Sequence, residues 1–447
     1  MLKIIIPSLF TPEKKYVFDI LLGEFLGLDF EIEESDIVVG YEIWLGTKKI
    51  KIEDAFFGKC KNEQYLSIEN IPNEISYFTN SVFDVKDIPV IYGELEIINS
   101  EDGINCRVDL IASSFFMLSR WEEFVIKNRD KHDRFSAFHS LAYKFNFLHR
   151  AVVNEYVELL WKMLLHIDSK LKRKAHTFEI VPTHDVDHIK LWKSISSSRK
   201  RLAHNFITQR KFKNGLLNAK SMLFTLLGLE KDPFDSFDYI MDMSEKEGMK
   251  SRFYFLCGGN TKYDNNLNIN STAYKNVIDN IKNRDHIIGF HPSYNTSNRP
   301  EIWQEEKLAL EKASGQSIHQ GRHHYLRFIV PETWQLWEDE NMEIDSTAGY
   351  HDMPGFRCGT CYPYSVFNFR SRKKLIIKEM PLIFMEMTAI EYMKKNPHQT
   401  LSIVKSLFNE VEKYNGKFVF LWHNSSMFTA EFKPYLFIYE SIIKRFK

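Results

Sequence analysis

Two histidines and two aspartates directly follow a hydrophobic run in the middle of the chain. The run FEIV leads into THDVDHIK, which contains His184, Asp185, Asp187 and His188. Polar residues commonly follow strands because loops lie in water, so this stretch alone does not indicate a site. Carboxylates and imidazoles are nevertheless ligands of divalent ions and are general acids and bases. The other strand ends decide whether these side chains have partners.

The second part of the chain repeats a strand followed by a helix. From about residue 176, apolar strands alternate with helical segments of about 10 to 15 residues, which predicts parallel βα units. The number of units suits a (β/α) barrel, including an incomplete one, and in such barrels the chemistry lies at the C-terminal strand ends. Here several strand ends carry histidine, aspartate or asparagine; they read HDVDH, CGGN, FHPSYN, GRHHY, DSTAG and LWHN.

The first part of the chain has a different pattern. Residues 1 to about 95 alternate short β-like runs with one helix, TPEKKYVFDILLGEFLG, and a second helical region follows, from VDLIASSFFMLSRWEEFVI through HRAVVNEYVELLWKMLLHI. Apolar residues at helical spacing, such as Val153, Val157 and Leu160, indicate core packing. We therefore predict an α/β fold with two domains, a smaller α/β domain over residues 1–170 and a (β/α) barrel over residues 171–447.

The polar strand ends could assemble one metal-dependent site. If Asp185, Asp187, His291 and His423 face one cleft, a carboxylate and imidazoles could hold a divalent ion. Such an ion activates water and polarises a carbonyl, so it supports hydrolysis of an amide or an ester. A second carboxylate could take the proton of the water, and a histidine could protonate the leaving nitrogen.

These motifs, in this order, resemble the polysaccharide deacetylases of the NodB-homology type, carbohydrate esterase family four, over about residues 176–440. THDVD resembles the first motif of that family, Thr-Phe-Asp-Asp, which implies that Asp185 is the base and Asp187 is a metal ligand. The extra residue between them leaves an exchange of the two roles open. HPSYN resembles the second motif, His-x-x-x-His, which implies metal ligation by His291 and by Asn295 in place of the second histidine.

The later motifs imply residues that orient the base and contact the substrate. RHHY resembles Arg-x-Pro-Tyr, which implies that Arg322 orients the aspartate and that the backbone N–H of Tyr325 binds an oxyanion. His324 stands in the place of the proline and is an alternative ligand. Looser matches imply substrate contacts by Asp345 in EIDSTAG and by Arg357 in GFRCG.

The last motif of the family, Leu-x-His, is matched by LWH, which implies that His423 is the catalytic acid. The resemblance implies a distorted barrel and a hydrolase that uses a divalent metal, with Zn²⁺ as the first candidate. Its substrates would be N-acetylated amino sugars of a polysaccharide or its precursor. Two alternatives stay open: a catalytically silent carbohydrate-binding protein, favoured by Asn295, and an amide hydrolase of a small non-sugar substrate.

The N-terminal part also resembles a known sequence type. FFMLSRWEEF and DRFSAFHS are similar to an uncharacterised domain that precedes a subgroup of these deacetylases, and the HDVD and HPSY variants occur in the same subgroup. The resemblance implies no activity for this domain. The charges in RWEE and KHDRF indicate a salt-bridged domain interface in preference to a second active site.

The balance of charged residues and the number of cysteines indicate which kinds of binding partner and which cellular compartment to expect. Lys plus Arg equals Asp plus Glu, 59 each, so the global charge predicts no nucleic-acid partner. Residues 188–229 contain no acidic residue, which indicates a solvated helical insertion or, alternatively, a face for peripheral membrane contact or for an anion. We expect a cytoplasmic protein, because no signal peptide or membrane helix is recognisable and the five cysteines are scattered. The CxxC of Cys358 and Cys361 is interpreted as part of a loop.

Overall fold

The computed structural model describes residues 1–60, 64–192, 212–264 and 268–446. The chain divides into two compact units that each combine several segments. Unit 1 comprises Met1–Glu179, Phe328–Ile383 and Ser406–Lys417, and unit 2 comprises Ile180–Arg327, Phe384–Lys405 and Phe418–Lys447. The domain boundary at residues 170 and 171 stays a prediction. It assigns residues 328–383 and 406–417 to the second domain, whereas in the compact units they group with the N-terminal segment.

The described strands are numbered here in chain order. They are β1 (Leu2–Pro7), β2 (Phe30–Ser35), β3 (Tyr41–Leu45), β4 (Lys48–Ile52), β5 (Ser76–Asn80), β6 (Val85–Val90), β7 (Gly93–Ser100), β8 (Gly103–Val108), β9 (Glu179–Val186), β10 (Arg252–Leu256), β11 (Ile287–His291), β12 (Gln320–Gly321), β13 (Ile344–Asp345), β14 (Tyr364–Asn368), β15 (Lys373–Glu379), β16 (Phe384–Met385) and β17 (Lys417–Leu421).

The described α-helices are numbered in the same way, and a π-helical segment, Asp19–Phe25, continues the first of them. They are α1 (Thr11–Phe18), α2 (Leu110–Ser119), α3 (Trp121–Val125), α4 (Leu141–Lys144), α5 (Val152–Ile167), α6 (Phe212–Leu226), α7 (Phe237–Lys246), α8 (Thr272–Asn283), α9 (Pro300–Ser314), α10 (Glu332–Asp339), α11 (Pro397–Lys413) and α12 (Leu436–Ile443).

Unit 1 contains a mixed sheet with the strand order β2-β1-β3-β4-β8-β7. β1 pairs in parallel with β2 and antiparallel with β3. Leu2, Ile4 and Ile6 alternate along β1 and are buried, as the period of a strand requires. On α5 the predicted stripe of Val153, Val157 and Leu160 is buried, which confirms its role in the core.

Unit 2 contains the strand series that positions the polar strand ends. Its strands lie side by side in the order β12-β11-β10-β9-β17-β16. β9, β10, β11 and β12 pair in parallel, and α7, α8 and α9 connect them as the βα rhythm predicts. β17, the last strand, lies beside β9, the first strand of this series. The carboxyl ends of the parallel strands therefore meet along one edge.

The α/β class is confirmed, while closure into a barrel is not found. Among the described residues, the sheet that contains these strands is open, and β12 and β16 are only two residues long. The run KKLIIKEMPLIFMEM, predicted as one strand, forms two strands, β15 and β16. Pro381 lies between them, and a proline cannot donate the backbone hydrogen bond that a continuous ladder needs.

Candidate functional site

The alternation of β9 places its two aspartates on one side of the strand. Thr183 and Asp185 are two residues apart in the strand, and Asp187 follows its last residue at the same spacing. His184 is on the opposite face, where its Nδ1 lies 2.6 Å from the carbonyl oxygen of Trp422 and its ring stacks on Phe253. Burial lowers the pKa of His184 to about 3, so this histidine is a neutral core residue.

Three side chains from three strand ends form a group that could hold a metal ion. Asp187, His291 and His324 each offer one ligand atom, and these atoms lie within 4.8 Å of one another. The Oδ1 atom of Asp187 lies 3.4 Å from Nε2 of His291 and 3.6 Å from Nε2 of His324. Two ligands at about 2.0–2.1 Å from one tetrahedral ion are about 3.4 Å apart. The two distances from Asp187 therefore match the ligand spacing of a tetrahedral ion such as Zn²⁺.

The far nitrogen of each imidazole is held by an acceptor. Nδ1 of His291 lies 2.6 Å from the carbonyl oxygen of Arg322, and Nδ1 of His324 lies 3.3 Å from Oδ1 of Asp264. Because a carbonyl oxygen only accepts, Nδ1 of His291 carries the hydrogen, which leaves the lone pair of Nε2 toward Asp187. A carbonyl or carboxylate behind a ligating histidine is the usual way of fixing its ring and tautomer.

The electrostatics of the group favour a bound cation. Burial raises the pKa of Asp187, but the imidazoles of His324 and His291 outweigh burial and hold that pKa far below its usual range. Burial lowers the pKa of His291, but the carboxylates of Asp185 and Asp187 outweigh it and raise that pKa. The carboxylates thus stabilise positive charge at the imidazole of His291, where a metal ion and a proton would compete for the same nitrogen atom.

Asp185 lies beside this group and is fixed by an arginine. Nη1 of Arg322 donates to Oδ1 of Asp185 at 3.0 Å and to Oγ1 of Thr183 at 2.9 Å. The other carboxylate oxygen of Asp185 lies 3.7 Å from Nε2 of His291. Asp185 and Arg322 are both buried. One oxygen of Asp185 is therefore anchored, and the other faces the candidate metal site.

His423 is held by a buried glutamate. Its Nδ1 lies 2.7 Å from Oε1 of Glu386, and its backbone N–H donates to the same oxygen at 3.0 Å. Burial lowers the pKa of His423, but Glu386, followed by Asp187 and Asp185, outweighs burial and raises it to about 9. His423 is thus protonated near neutral pH, as a general acid must be at the start of a reaction.

The other residues predicted in the second and third motifs lie at the same strand ends. Asn295 follows β11 and is the N-cap of a short 3₁₀ turn, Thr296–Asn298. The group of His and carboxylate side chains that could hold a metal consists of Asp187, His291 and the alternative ligand His324. Tyr325 has a left-handed backbone with φ of 62°, and its ring contacts the ring of His324 at a centroid distance of 4.7 Å. Ligation by Asn295 and oxyanion binding by Tyr325 stay predictions.

The two looser candidates lie in unit 1. Arg357 is buried and donates from Nε to Oε1 of Glu123 at 2.9 Å and from Nη1 to the carbonyl oxygen of Gly349 at 2.8 Å. Asp345 is buried, and its Oδ1 accepts the backbone N–H of Thr347 at 3.0 Å. These contacts are structural ones within unit 1, and the predicted substrate contacts of both residues stay predictions.

Sequence reasoning missed two acids that hold site residues. Glu386 follows β16 directly, so it is a polar strand end, but the signal was hidden when the preceding run was interpreted as one strand. Asp264 lies in the loop after β10, eight residues beyond Leu256, where no spacing rule marks it. A carboxylate that acts behind a histidine needs no fixed sequence distance from it.

The predicted basic face and the CxxC are only partly described. Residues 193–211 of the acid-free region lie outside the described residues, and α6 follows them. No described helix is long and apolar enough to cross a membrane. Cys358 and Cys361 are buried free thiols in unit 1, and burial raises the pKa of both, which makes them unreactive.

Comparison with known families gives a match for the N-terminal part. Residues 2–169 match the model of a family of unknown function (DUF7033). The match covers less than half of the chain, and the description of the family gives no activity. No curated protein matches the chain.

Solved structures with some similarity include two proteins assigned as polysaccharide deacetylases and a CE4 family pseudoenzyme. A protein of Mycobacterium smegmatis assigned as a polysaccharide deacetylase is 12% identical, with 61% of this chain and 84% of that chain covered and a TM-score of 0.39. A protein of Pseudomonas aeruginosa PAO1 with the same assignment is 14% identical, with 47% and 66% covered and a TM-score of 0.33. BA3943 of Bacillus anthracis, a CE4 family pseudoenzyme, is 11% identical, with 60% and 61% covered and a TM-score of 0.29. At these scores the superpositions assign neither a reaction nor a residue role to this chain.

Proposed function

We propose that unit 2 is a divalent-metal-dependent hydrolase that removes acetyl groups from N-acetylated amino sugars of a polysaccharide or its precursor. The observation that carries the proposal is the convergence of Asp187, His291 and His324, with Asp185 held beside them by Arg322. One carboxylate and two imidazoles leave coordination positions open, which is the arrangement of catalytic rather than structural zinc sites. The motif resemblance supports acetylated amino sugars as the substrates.

The metal would be held by Asp187, His291 and His324, with Zn²⁺ as the first candidate because imidazole suits it. An ion bound there would lower the pKa of water toward about 7 and polarise the acetyl carbonyl. Asn295 stays an alternative to His324 as the third ligand. The fixed Nδ1 atoms of the two histidines support His324, because a held ring is already oriented for ligation.

Four other side chains move protons or position the groups that do so in the proposal. Asp185 takes the proton of the attacking water through the oxygen that faces the site, while Arg322 fixes its other oxygen. His423 donates a proton to the departing amine, and Glu386 keeps its imidazole charged and oriented. The anchoring of Asp185 by an arginine supports Asp185 as the base and Asp187 as the ligand.

The two alternatives differ from this proposal in what they require of the site. A silent carbohydrate-binding protein needs no ligand set and no charged acid. The presence of a third ligand-type side chain, His324, together with the His423–Glu386 pair therefore supports an enzyme. A hydrolase of small non-sugar amides would use the same chemistry, so only substrates can distinguish it.

The proposal is tested by metal content and acetate release. Purified protein stripped with a chelator and reloaded with Zn²⁺ should bind about one ion and release acetate from chitotetraose but not from N-acetylated amino acids. Asp185→Asn should keep the ion and lower kcat by about 10³-fold, within the range of general base catalysis. Asp187→Asn should lose the ion and the activity together.

Matched variants identify the third ligand. His324→Ala should lose Zn²⁺, whereas Asn295→Ala should keep it. His398→Ala, an exposed histidine on α11, is the control and should change neither zinc content nor activity. Protein that binds no divalent ion and releases no acetate from any acetylated sugar would overturn the proposal in favour of the silent alternative. Acetate released only from N-acetylated amino acids would favour the non-sugar amidase.

A further inference from the structure

Three tyrosines from successive strand ends form one aromatic cluster in unit 2. Tyr263 follows β10, Tyr294 follows β11 and Tyr325 follows β12. The ring centroids of Tyr263 and Tyr294 are 4.4 Å apart at an interplanar angle of 33°. Tyr325 meets both rings edge-on, at 5.4 Å and 5.5 Å. We call these three residues the tyrosine cluster.

The tyrosine cluster is joined to the candidate metal site by shared contacts. The ring of Tyr325 lies against the ring of His324, with centroids 4.7 Å apart. The backbone N–H of Tyr294 donates at 2.9 Å to Oδ1 of Asp264, the same oxygen that faces Nδ1 of His324. A molecule on the cluster would therefore lie next to a group that reacts at the metal site.

All three rings are only half-buried, which is unusual for an aromatic cluster that serves the core alone. Tryptophans of unit 2 such as Trp303 and Trp422 are fully buried instead. Aromatic side chains that remain partly exposed at the carboxyl ends of parallel strands are in the usual place for a ligand. The apolar C–H face of a pyranose ring stacks on such rings, while its hydroxyl groups remain hydrated.

Two cations border the tyrosine cluster. The guanidinium carbon of Arg327 lies 4.3 Å from the ring centroid of Tyr294, and Nζ of Lys262 lies 5.0 Å from that of Tyr263. Lys262 is exposed and Arg327 is half-buried. Asp264, which accepts the backbone N–H of Tyr294, is buried and faces His324. Two cations therefore lie against rings of the tyrosine cluster, and one of them, Lys262, is exposed.

We propose that the tyrosine cluster, with Lys262 and Arg327, is a binding subsite for a pyranose ring that carries a carboxylate, adjacent to the acetylated sugar that reacts. The substrate class is then an acidic polysaccharide in which uronate and N-acetylated amino sugar are neighbours. The inference rests on the proposed function for the identity of the reacting sugar. The stacking rings provide affinity, and the two cations select the charged ring.

Binding of two tetrasaccharides tests the subsite without turnover. The zinc-loaded Asp185→Asn protein is titrated calorimetrically with hyaluronan tetrasaccharide, in which glucuronate alternates with N-acetylglucosamine, and with neutral chitotetraose. Hyaluronan tetrasaccharide should bind about tenfold more tightly, and added salt should reduce the difference. A second change, Tyr263→Ala, should weaken both by about tenfold, which corresponds to about 1.4 kcal/mol. Tyr263→Phe keeps the ring and should restore binding.

A double change tests the charge preference separately from the stacking. Lys262→Gln with Arg327→Gln should make the two tetrasaccharides bind equally, while zinc content stays unchanged. Equal affinity before this change, or unchanged affinity in Tyr263→Ala with zinc retained, would overturn the inference. The proposed function fails independently, when wild-type protein releases no acetate from either tetrasaccharide although both bind. Conversely, acetate release with binding that is insensitive to Tyr263 leaves the function and removes the subsite.

Discussion

Each unit contains a group of buried ionisable side chains, and the two groups differ in the spacing and the pairing of their members. In unit 1, Arg120, Glu122, Glu123, Tyr350 and Arg357 form a closed network, which we call the Arg120 network. Nε of Arg120 lies 2.9 Å from Glu123, Nη2 of Arg120 lies 3.1 Å from Glu122, and Nε of Arg357 lies 2.9 Å from Glu123. In unit 2, Asp187 lies at 3.4 Å and 3.6 Å from its two imidazoles, as ligands of one ion do.

The two groups also differ in the exposed fraction of their side chains. The side chains of Arg120, Glu123 and Arg357 are at most 2% exposed, whereas Asp187 is 22% exposed and His423 is 16% exposed. Burial raises the pKa of Glu123, but Arg357 and Arg120 outweigh burial and lower it to about 2. A carboxylate whose hydrogen-bond sites are filled by arginines stabilises the fold. A carboxylate at ligand spacing beside solvent is arranged for a cation from outside.

Removing a charge from the Arg120 network should have the largest effect on stability. Glu123→Gln leaves Arg120 and Arg357 without their shared carboxylate, and breaking a buried ion pair costs about 3–5 kcal/mol. The free energy of unfolding of the metal-free protein, measured with denaturant, should fall by this amount. Asp187→Asn is the matched change in unit 2 and should cost less than Glu123→Gln, because Asp187 is 22% exposed and its two partners are imidazoles rather than permanently charged arginines.

Zinc affinity provides the complementary measurement for this pair of variants. Folded Glu123→Gln should bind Zn²⁺ as the wild type does, whereas Asp187→Asn should not bind it. Equal losses of stability in both variants would contradict the distinction between a closed network and an open site.

The carboxylate of Asp264, which faces Nδ1 of His324, should affect the affinity for a metal ion. Asp264→Asn weakens the acceptor that orients the His324 ring, and changes of this type lower metal affinity about 10- to 100-fold. A competition titration with a chromogenic chelator measures the affinity. Asp279→Asn, an exposed acid on α8, is the control. If Asp264→Asn binds Zn²⁺ normally, His324 is not a ligand, and Asn295 becomes the candidate.

The strand-end residues of the candidate site could be predicted from the sequence, because the carboxyl ends of parallel strands lie along one edge of a sheet. Asp185, Asp187, His291 and Arg322 come from β9, β11 and the end of β12, and alternation along β9 separates the two aspartates from His184. The α/β class followed from the same rhythm. These features are local and periodic, so one sequence can indicate them.

The contacts that hold these residues were not predictable in the same way. Glu386 and Asp264 reach His423 and His324 across the fold, 37 and 60 residues away in the chain. Short strands such as β12 and β16 have too few residues to show a period. The charges of RWEE predict a salt-bridged domain interface. Glu123 forms a salt bridge with Arg357, more than two hundred residues later in the chain, and both residues belong to unit 1.

The His423–Glu386 pair has the smallest expected effect, and it depends on pH. Glu386→Gln removes the main cause that raises the pKa of His423 to about 9, so this pKa should fall toward 6.5. A general acid works in its protonated form. The decrease of kcat at high pH should therefore begin at a lower pH in Glu386→Gln than in the wild type. At pH 8 the loss should be on the order of tenfold, and below pH 6 it should nearly disappear.

The free energy of unfolding should depend on pH in the same range, because folding raises the pKa of His423. The stabilisation is fully present below the unfolded pKa of about 6.5, and it is lost as the pH rises through the folded pKa of about 9. The stability difference between wild type and Glu386→Gln should therefore shrink over this range. The matched change in the Arg120 network, Glu122→Gln, should leave the decrease of kcat at high pH in place. A decrease that stays in place in Glu386→Gln, or that moves equally in both variants, would mean that Glu386 does not set the charge of His423.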